Sequence, residues 1–391
     1  MTRHENAGFG VAKAVMISAV SLGTLAVVTA AAAAAVTVYF ARTVLTPPKK
    51  RAEDVRILRS DESTITFAAS IDAMTPGSYS LWFAHDTGHA RVGEILSYDD
   101  SEVTRALLGV DEGDLAGVHR GRFSGWFYLT PGDLGVAFEE VSVETELGPA
   151  PAWLVPAEGE SDRWVIGVHG RAVRRQEAIR AVPVFRKAGY TSLLISYRND
   201  GDAPATADNR YALGDTEWRD VESAMQYAVA HGARRIVLMG WSMGGATVLQ
   251  ALTRSSLEYL VTGVVLESPV VDWVTALNFQ GAINRLPVPL RSAVLTVISA
   301  PWSRSVTGQA EPIDLKRLNF VARASELATP ILVLHSDDDG YIPVTASRAL
   351  AEARPDIVTF EEFHTARHTR LWNYDSDRWN SVIARWLDNL G

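Results

Sequence analysis

Five short apolar runs constrain this chain more than any other feature: Trp164–Val168, Ser192–Ile195, Ile236–Met239, Val264–Leu266 and Ile331–Leu334. They are nearly continuous in apolar residues instead of alternating with polar ones, which is the pattern of strands covered on both faces. Amphipathic stretches separate them. In Glu217–Ala230 the residues Trp218, Val221, Met225 and Ala228 recur at helical spacing, and Gly232 is placed to end the helix. Arg378–Leu387 repeats the pattern with Trp379, Val382, Ile383 and Trp386. Strands and helices in this alternation bury themselves as a parallel sheet between two helical layers, so the chain from about Val141 onward is expected to be an α/β domain, residues 141–391. A composition of 47% hydrophobic and 21% charged residues over 391 positions supports a packed core and excludes disorder, collagen-like structure and coiled coil.

One local signal carries chemistry: Arg235-Ile-Val-Leu-Met-Gly240-Trp241-Ser242-Met243-Gly244-Gly245. It reads as a strand, a Gly-x-Ser-x-Gly turn and a helix rich in Ala246, Val248, Leu249, Ala251 and Leu252. The flanking positions of so tight a turn have little room for side chains, and the turn leaves the serine hydroxyl exposed above the sheet. The helix that follows offers unpaired N–H groups to developing negative charge. Ser242 is therefore the candidate nucleophile.

A serine hydroxyl is too weak an acid to attack alone, so a carboxylate and a base are expected downstream, in that order. Asp337, Asp338 and Asp339 lie just past the end of the run Ile331–Leu334 and are the candidate acids; three adjacent carboxylates do not all turn toward one ion, which argues against calcium. After the apolar run Ile357–Phe363 come His364 and His368. The second lies further into the loop, where it reaches over the strand ends, and is favoured as the base. The oxyanion hole needs the N–H after the nucleophile, that of Met243, and one from an earlier strand-to-helix loop. His169-Gly170-Arg171 follows Val168 at that place, so the Arg171 N–H is the expected second donor, with Ala172 as its alternative. His169 itself precedes the nucleophile and belongs on the oxyanion side, not in the role of base.

Taken in chain order, His169-Gly170, Gly240-Trp241-Ser242-Met243-Gly244, the His335-x3-Asp339-x2-Ile342-Pro343 stretch and His368 resemble the α/β-hydrolase superfamily. They are most similar to its serine hydrolases of the esterase and prolyl-oligopeptidase-like kinds. The likeness runs from about Val141 to the C-terminus. It implies that Asp339, four residues after His335, is the acid, and that His368, 29 residues later, is the base. Ser336 departs from the glycine that often follows such a histidine. The activity implied is two-step acyl transfer through an acyl-enzyme, with no cofactor and no metal.

The remainder of the chain lies outside this resemblance. Ala14–Ala41 holds 28 residues without a charge, between Lys13 and Arg42. Its length suits a tilted membrane-spanning helix within an anchor segment 1–46, and exceeds the core of an ordinary cleaved signal. The expected location is a cell membrane, crossed once. Arg42, Lys49, Lys50, Arg51, Arg56 and Arg59 lean toward a cytoplasmic catalytic domain, whereas a signal-type entry places it outside. Pro47-Pro48-Lys49-Lys50-Arg51 reads as a stiff linker opening a segment 47–140. Between Gly77 and Gly135 ten glycines fall in 59 residues and punctuate short apolar stretches, Thr64–Phe67, Tyr79–Phe83 and Trp126–Leu129, which are expected to be strands of a small β-rich module. His85 and His89, four apart, lie in a strand-like neighbourhood that argues against a shared metal-binding helix face. The insertion 272–328 is read either as a cap lining an apolar acyl pocket or as helices that cover the sheet.

With 37 basic and 46 acidic residues the net charge is −9, which argues against nucleic acid as a partner. The absence of cysteine excludes disulfide scaffolds, thiolate metal sites and thiol nucleophiles. The expected function is that of a membrane-anchored serine hydrolase acting on small-molecule or lipid-like carboxylic esters. A peptidase or an acyltransferase with the same three residues is the alternative within enzymes, and a non-catalytic binding protein of the same fold the alternative outside them.

Overall fold

The computed structural model describes residues 29–48 and 51–390. Residues 29–45 form a helix, α1. Residues 14–28 of the expected membrane span lie outside the described residues, and among the described residues no helix is long and apolar enough to cross a membrane. The visible end of that stretch does something else: Ala41 and Leu45 are fully buried in the same apolar cluster as the central sheet.

Six antiparallel strands follow: β1 (Val55–Ser60), β2 (Thr64–Ala68), β3 (Tyr79–Phe83), β4 (Gly88–Tyr98), β5 (Glu102–Glu112) and β6 (Arg120–Ser124). They close into a barrel in the order β1-β2-β5-β4-β3-β6, with the short helix α2 (Ile71–Met74) leaving β2. Alternate residues, among them Ile65, Phe67, Leu81, Phe83, Val92, Val103 and Phe123, fill the interior. Arg105 is buried there without a carboxylate. Burial pulls its guanidinium down to about 10, and it donates to the carbonyls of Gly93, Ala73, Thr75 and Gly77 at 2.5–3.0 Å. Trp126–Leu129, expected as a strand, is a loop. Its apolar side chains are used between units instead of in a ladder: Trp126 packs on Trp82 (5.1 Å between ring centres) and Phe127 on Trp372 (5.8 Å).

The second sheet begins with the hairpin β7 (Glu139–Thr145) and β8 (Gly148–Val155), then β9 (Arg163–Val168), β10 (Thr191–Ile195), β11 (Arg235–Trp241), β12 (Val261–Glu267), β13 (Ile331–Ser336) and β14 (Val358–Phe363). The order is β14-β13-β12-β11-β9-β10-β8-β7, parallel from β14 to β10 and antiparallel at β8 and β7. Residues of alternate parity go to opposite faces. Ile166, Leu238, Val264 and Val333 join one cluster with α4 (Trp218–Ala230) and α5 (Met243–Arg254); Val165, Val237, Val265 and Leu332 join another with α3 (Val182–Lys187). That is why these runs lack polar residues: both of their faces are core.

Within the insertion, α6 (Trp273–Ile283) and α7 (Val288–Ser299) extend the cluster on the α5 side through Ala276, Val294, Val297 and Ile298, and the short α8 (Arg304–Thr307) follows. The chain closes with α9 (Thr345–Ala353), α10 (Leu371–Tyr374) and α11 (Ser376–Asp388); α11 buries Trp379, Val382, Ile383 and Trp386 beside α3. The barrel docks on α10 and the loop before it. Arg370 pairs with Asp72 (2.9 Å) and donates to the Phe123 carbonyl (3.1 Å), while Asn373 exchanges two hydrogen bonds with Ser78, both 2.9 Å.

Candidate active site

β11 ends directly beneath Ser242, whose backbone stands at φ 51° and ψ −115°. A non-glycine residue held there costs about 1–3 kcal/mol. Three backbone bonds offset it, from Ser242 N to Glu267 O and to Ser242 O from Gly245 N and Val270 N, each 3.0 Å. The neighbouring glycines are required by close approach. A Cβ on Gly240 would lie 2.5 Å from the Gly244 carbonyl oxygen, and one on Gly244 only 2.1 Å from that of Val168.

The loops after β13 and β14 bring the expected partners to this serine. His368 Nδ1 lies 2.7 Å from Asp339 Oδ2, and Nε2 lies 3.0 Å from Ser242 Oγ. A carboxylate only accepts, so the proton sits on Nδ1 and the Nε2 lone pair faces the hydroxyl. The Asp339 side chain is fully buried, and its other oxygen accepts the N–H groups of Tyr341 (2.8 Å) and Ile342 (2.9 Å). Burial alone would raise this carboxyl; the facing imidazoles of His368 and His335 outweigh it and hold the group well below the ordinary carboxylate range. His364 is elsewhere, with its Nδ1 2.9 Å from Asp337 on the exposed surface. Asp338 ties the loop after β13 to the loop after β14 by accepting from Ser336 Oγ (2.6 Å) and Arg367 N (3.0 Å). The donor atoms of Asp337, Glu362 and His364 lie within 4.8 Å of one another, but Arg348 already engages Glu362.

On the oxyanion side, a Cβ on Gly170 would lie 3.2 Å from Ser242 Cβ, so the 169–172 loop runs against the nucleophile. Gly170 N donates to Glu177 Oε2 (2.7 Å) and Ala172 N to the Tyr211 hydroxyl (3.4 Å). The amide between them is that of Arg171. Met243 opens α5, where a first-turn N–H has no partner inside the helix. His169 sits behind this loop, stacked on Tyr197 at 4.2 Å and bonded through Nε2 to Asp200 (3.1 Å) and through Nδ1 to the Gly170 carbonyl (2.8 Å).

Three residues support the site; His335 belongs to the stretch quoted from the sequence, although with no role assigned, and Glu267 and Arg180 are not singled out there. His335 Nε2 approaches Asp339 Oδ2 (3.2 Å) while its Nδ1 faces the Ser347 hydroxyl (2.8 Å). Glu267, fully buried at the end of β12, accepts the indole N–H groups of Trp241 and Trp379, each at 2.9 Å. Arg180 lies 3.6 Å from Glu267 and donates to the carbonyls of Thr369 (2.8 Å) and Gly125 (3.1 Å), which ties the residue after His368 to the barrel side. For Glu267 the visible hint is a charged residue closing an apolar strand. As for the insertion, Gln280 of α6 donates to the Tyr341 carbonyl (2.5 Å), and the Tyr341 ring lies 5.3 Å from that of His368, so α6 borders the site as well as covering the sheet.

Comparison with known proteins agrees with this architecture. A family model described as the alpha/beta hydrolase family matches residues 165–382, more than half of the chain; one described as a domain of unknown function matches residues 56–124, the barrel. The uncharacterized protein YfhR of Escherichia coli (strain K12) is 23% identical over 202 residues, 51% of this chain and 61% of that protein. The chain thus spans about three fifths of the length of this curated relative. A structure of the esterase Pf2001 of Pyrococcus furiosus superposes with a TM-score of 0.53 at 19% identity, covering 68% of this chain and 95% of that one. A second crystal form gives 0.52, again at 19% identity, with 68% and 97% covered. At such identity the likeness is one of fold, whereas the family match rests on the sequence itself. The chain belongs to the alpha/beta hydrolase family.

Proposed function

We propose that this protein is a serine hydrolase that cleaves carboxylic esters with Ser242 as nucleophile, His368 as base and Asp339 as the orienting acid. The observation that carries the reading is the unbroken line of hydrogen bonds from Asp339 through His368 to Ser242, 2.7 and 3.0 Å long. In the first step Ser242 Oγ attacks the ester carbonyl carbon and its proton passes to His368 Nε2. The C–O bond to the alcohol then breaks, and the alcohol leaves with that proton. Water, deprotonated by the same nitrogen, attacks the acyl-enzyme; the acid departs and Ser242 regains its hydrogen. Asp339 keeps the proton on Nδ1 and stabilises the imidazolium in both steps. The amides of Met243 and Arg171 bind the oxyanion.

The reading includes attachment to a membrane by the N-terminal segment, with lipid-like esters among the substrates. Support comes from the uncharged run 14–41. Because Thr37, Ala41 and Leu45 are buried against protein, the part left for lipid is residues 14–36, which as a helix measures about 34 Å and suffices for a bilayer core of about 30 Å. Protease protection of intact cells reports which side holds the catalytic domain.

The mechanism is tested with a fluorophosphonate probe and p-nitrophenyl esters of increasing chain length. The wild type is expected to react with the probe at Ser242 and to turn over the esters, whereas Ser242→Ala loses labelling and about 10⁴-fold or more in kcat with its fold intact. Turnover near the wild-type rate in that variant refutes the mechanism.

A further inference from the structure

The loop that carries the Arg171 amide is held partly from within the hydrolase domain and partly by segments of the chain that lie outside it. The side chain of Arg171 is engaged by the N-terminal segment. Its Nε donates to the Val44 carbonyl (2.9 Å) and its Nη2 to those of Thr43 (2.6 Å) and Thr46 (3.0 Å), the end of α1. The last carbonyls of a helix have no partner within it and carry the negative end of its dipole, so a guanidinium there is a cap supplied from another segment. The Leu45 carbonyl accepts from Tyr211 N (2.8 Å), the Tyr211 hydroxyl accepts from Ala172 N, and the Arg171 guanidinium lies 5.4 Å from the Tyr211 ring. On the far side, Arg51 donates to the Ala172 carbonyl. Ala172 itself stands at φ +62°, a conformation that alanine does not keep without such restraints.

We propose that Thr43–Thr46 at and just past the end of α1, together with Arg51 and bridged by Tyr211 of the domain itself, form a latch that restrains Arg171 and Ala172 from the side opposite Gly170, so that segments outside the hydrolase domain help to aim the Arg171 N–H at the oxyanion. Planarity couples the Arg171 N–H to the Gly170 carbonyl, which accepts from His169 Nδ1 and the Tyr197 hydroxyl, both at 2.8 Å; the latch restrains the other side of the residue, its side chain and the N–H and C=O of Ala172, so that Arg171 is held from both ends. Arg171 is thereby two things at once: its backbone meets the substrate, and its side chain is a positioning group acting through the helix end. The latch couples the N-terminal segment to turnover without any contact between that segment and substrate. The burial of Ala41 and Leu45 seats α1 against the hydrolase core where its free carbonyls meet this loop.

This inference rests on the ester-hydrolase reading above, and the test separates the two. In the full chain, Arg171→Met keeps the amide and the aliphatic stem but removes the cap; Arg51→Met and Tyr211→Phe cut the latch without altering the loop's own residues or the tyrosine ring. Each is assayed for kcat and KM on p-nitrophenyl acetate, for the rate of fluorophosphonate labelling at Ser242, and for melting temperature. The latch predicts a fall of about tenfold or more in kcat and in labelling rate for Arg171→Met, a smaller fall for the other two, and KM within about twofold, in proteins still folded at the assay temperature. A purely structural role predicts lower melting temperatures with kcat and labelling unchanged, and that result overturns the latch. Should Arg171→Met fail to fold, the other two variants decide by the same criterion. A wild type that neither labels at Ser242 nor cleaves any ester removes the parent reading, and the latch with it.

Discussion

His364 and His368 lie four residues apart on one loop yet meet different carboxylates. His364 pairs with Asp337 in the open, while His368 turns inward to the buried Asp339 and to Ser242. Arg367 and Thr369, at φ 63° and 49°, flank the second histidine and make that turn. His368→Ala should therefore lower kcat by about 10⁴-fold or more, and His364→Ala should leave it within about twofold, both read on a p-nitrophenyl ester. Asp339 adds a pH dependence. Its folded pKa lies below the unfolded value near 4. Its charged form thus stabilises the fold at every pH above about 4, and the contribution fades as pH falls through the lowered value. Urea titrations should show the wild type losing stability more steeply below pH 4 than Asp339→Asn, and the variant should turn over about 10⁴-fold more slowly at neutral pH.

At the scale of elements, the turn joining β11 to α5 is the most demanding piece of backbone in the site. Gly244 lets the first turn of α5 pass under the carbonyls of Val168 and His169, which a Cβ would approach to 2.1 and 2.5 Å. Those atoms are backbone at the end of β9 and cannot yield without moving the 169–172 loop. Gly244→Ala should then cost about 3 kcal/mol or more, or prevent folding, by circular dichroism and thermal melting. The spacing Gly240-x-Ser242-x-Gly244 is legible for this reason: sterics act on neighbours in sequence. Arg105 is the contrasting case. Its four acceptors come from β4 and from the α2 turn, distant positions that no local pattern announces.

For the whole molecule, the two halves of the site are each braced from outside the hydrolase domain. The 169–172 loop meets α1 and Arg51, and the segment bearing His368 meets the barrel through Arg370 and Asn373. Removing Arg370 leaves Asp72 and the Phe123 carbonyl without their donor. Arg370→Ala should cost about 1–3 kcal/mol of stability and speed amide exchange both in β3 and in residues 364–374. Uniform protection across those two segments in the variant would show that the barrel is not coupled to the histidine loop.

The sequence by itself determined the elements whose causes are local. Apolar runs on both parities became buried parallel strands, helical spacing gave α4 and α11, and steric need fixed the glycines around Ser242. The order Ser242, Asp339, His368 was legible through motif likeness. Other features depended on residues far apart in the chain. Motif likeness pointed to Asp339 among three adjacent aspartates, but the physical reason is tertiary: the β13 loop buries that carboxylate, and not those of Asp337 or Asp338, against His335 and His368. The Trp126–Leu129 stretch became a loop because its aromatic side chains found partners on Trp82 and Trp372. The end of an apolar run that reads as a membrane span became a helix end docked on the core, since Arg171 and Tyr211, more than a hundred residues later, supply the donors its carbonyls need. Hydrogen-bond satisfaction and burial are settled by proximity in space, and only the folded chain creates that proximity.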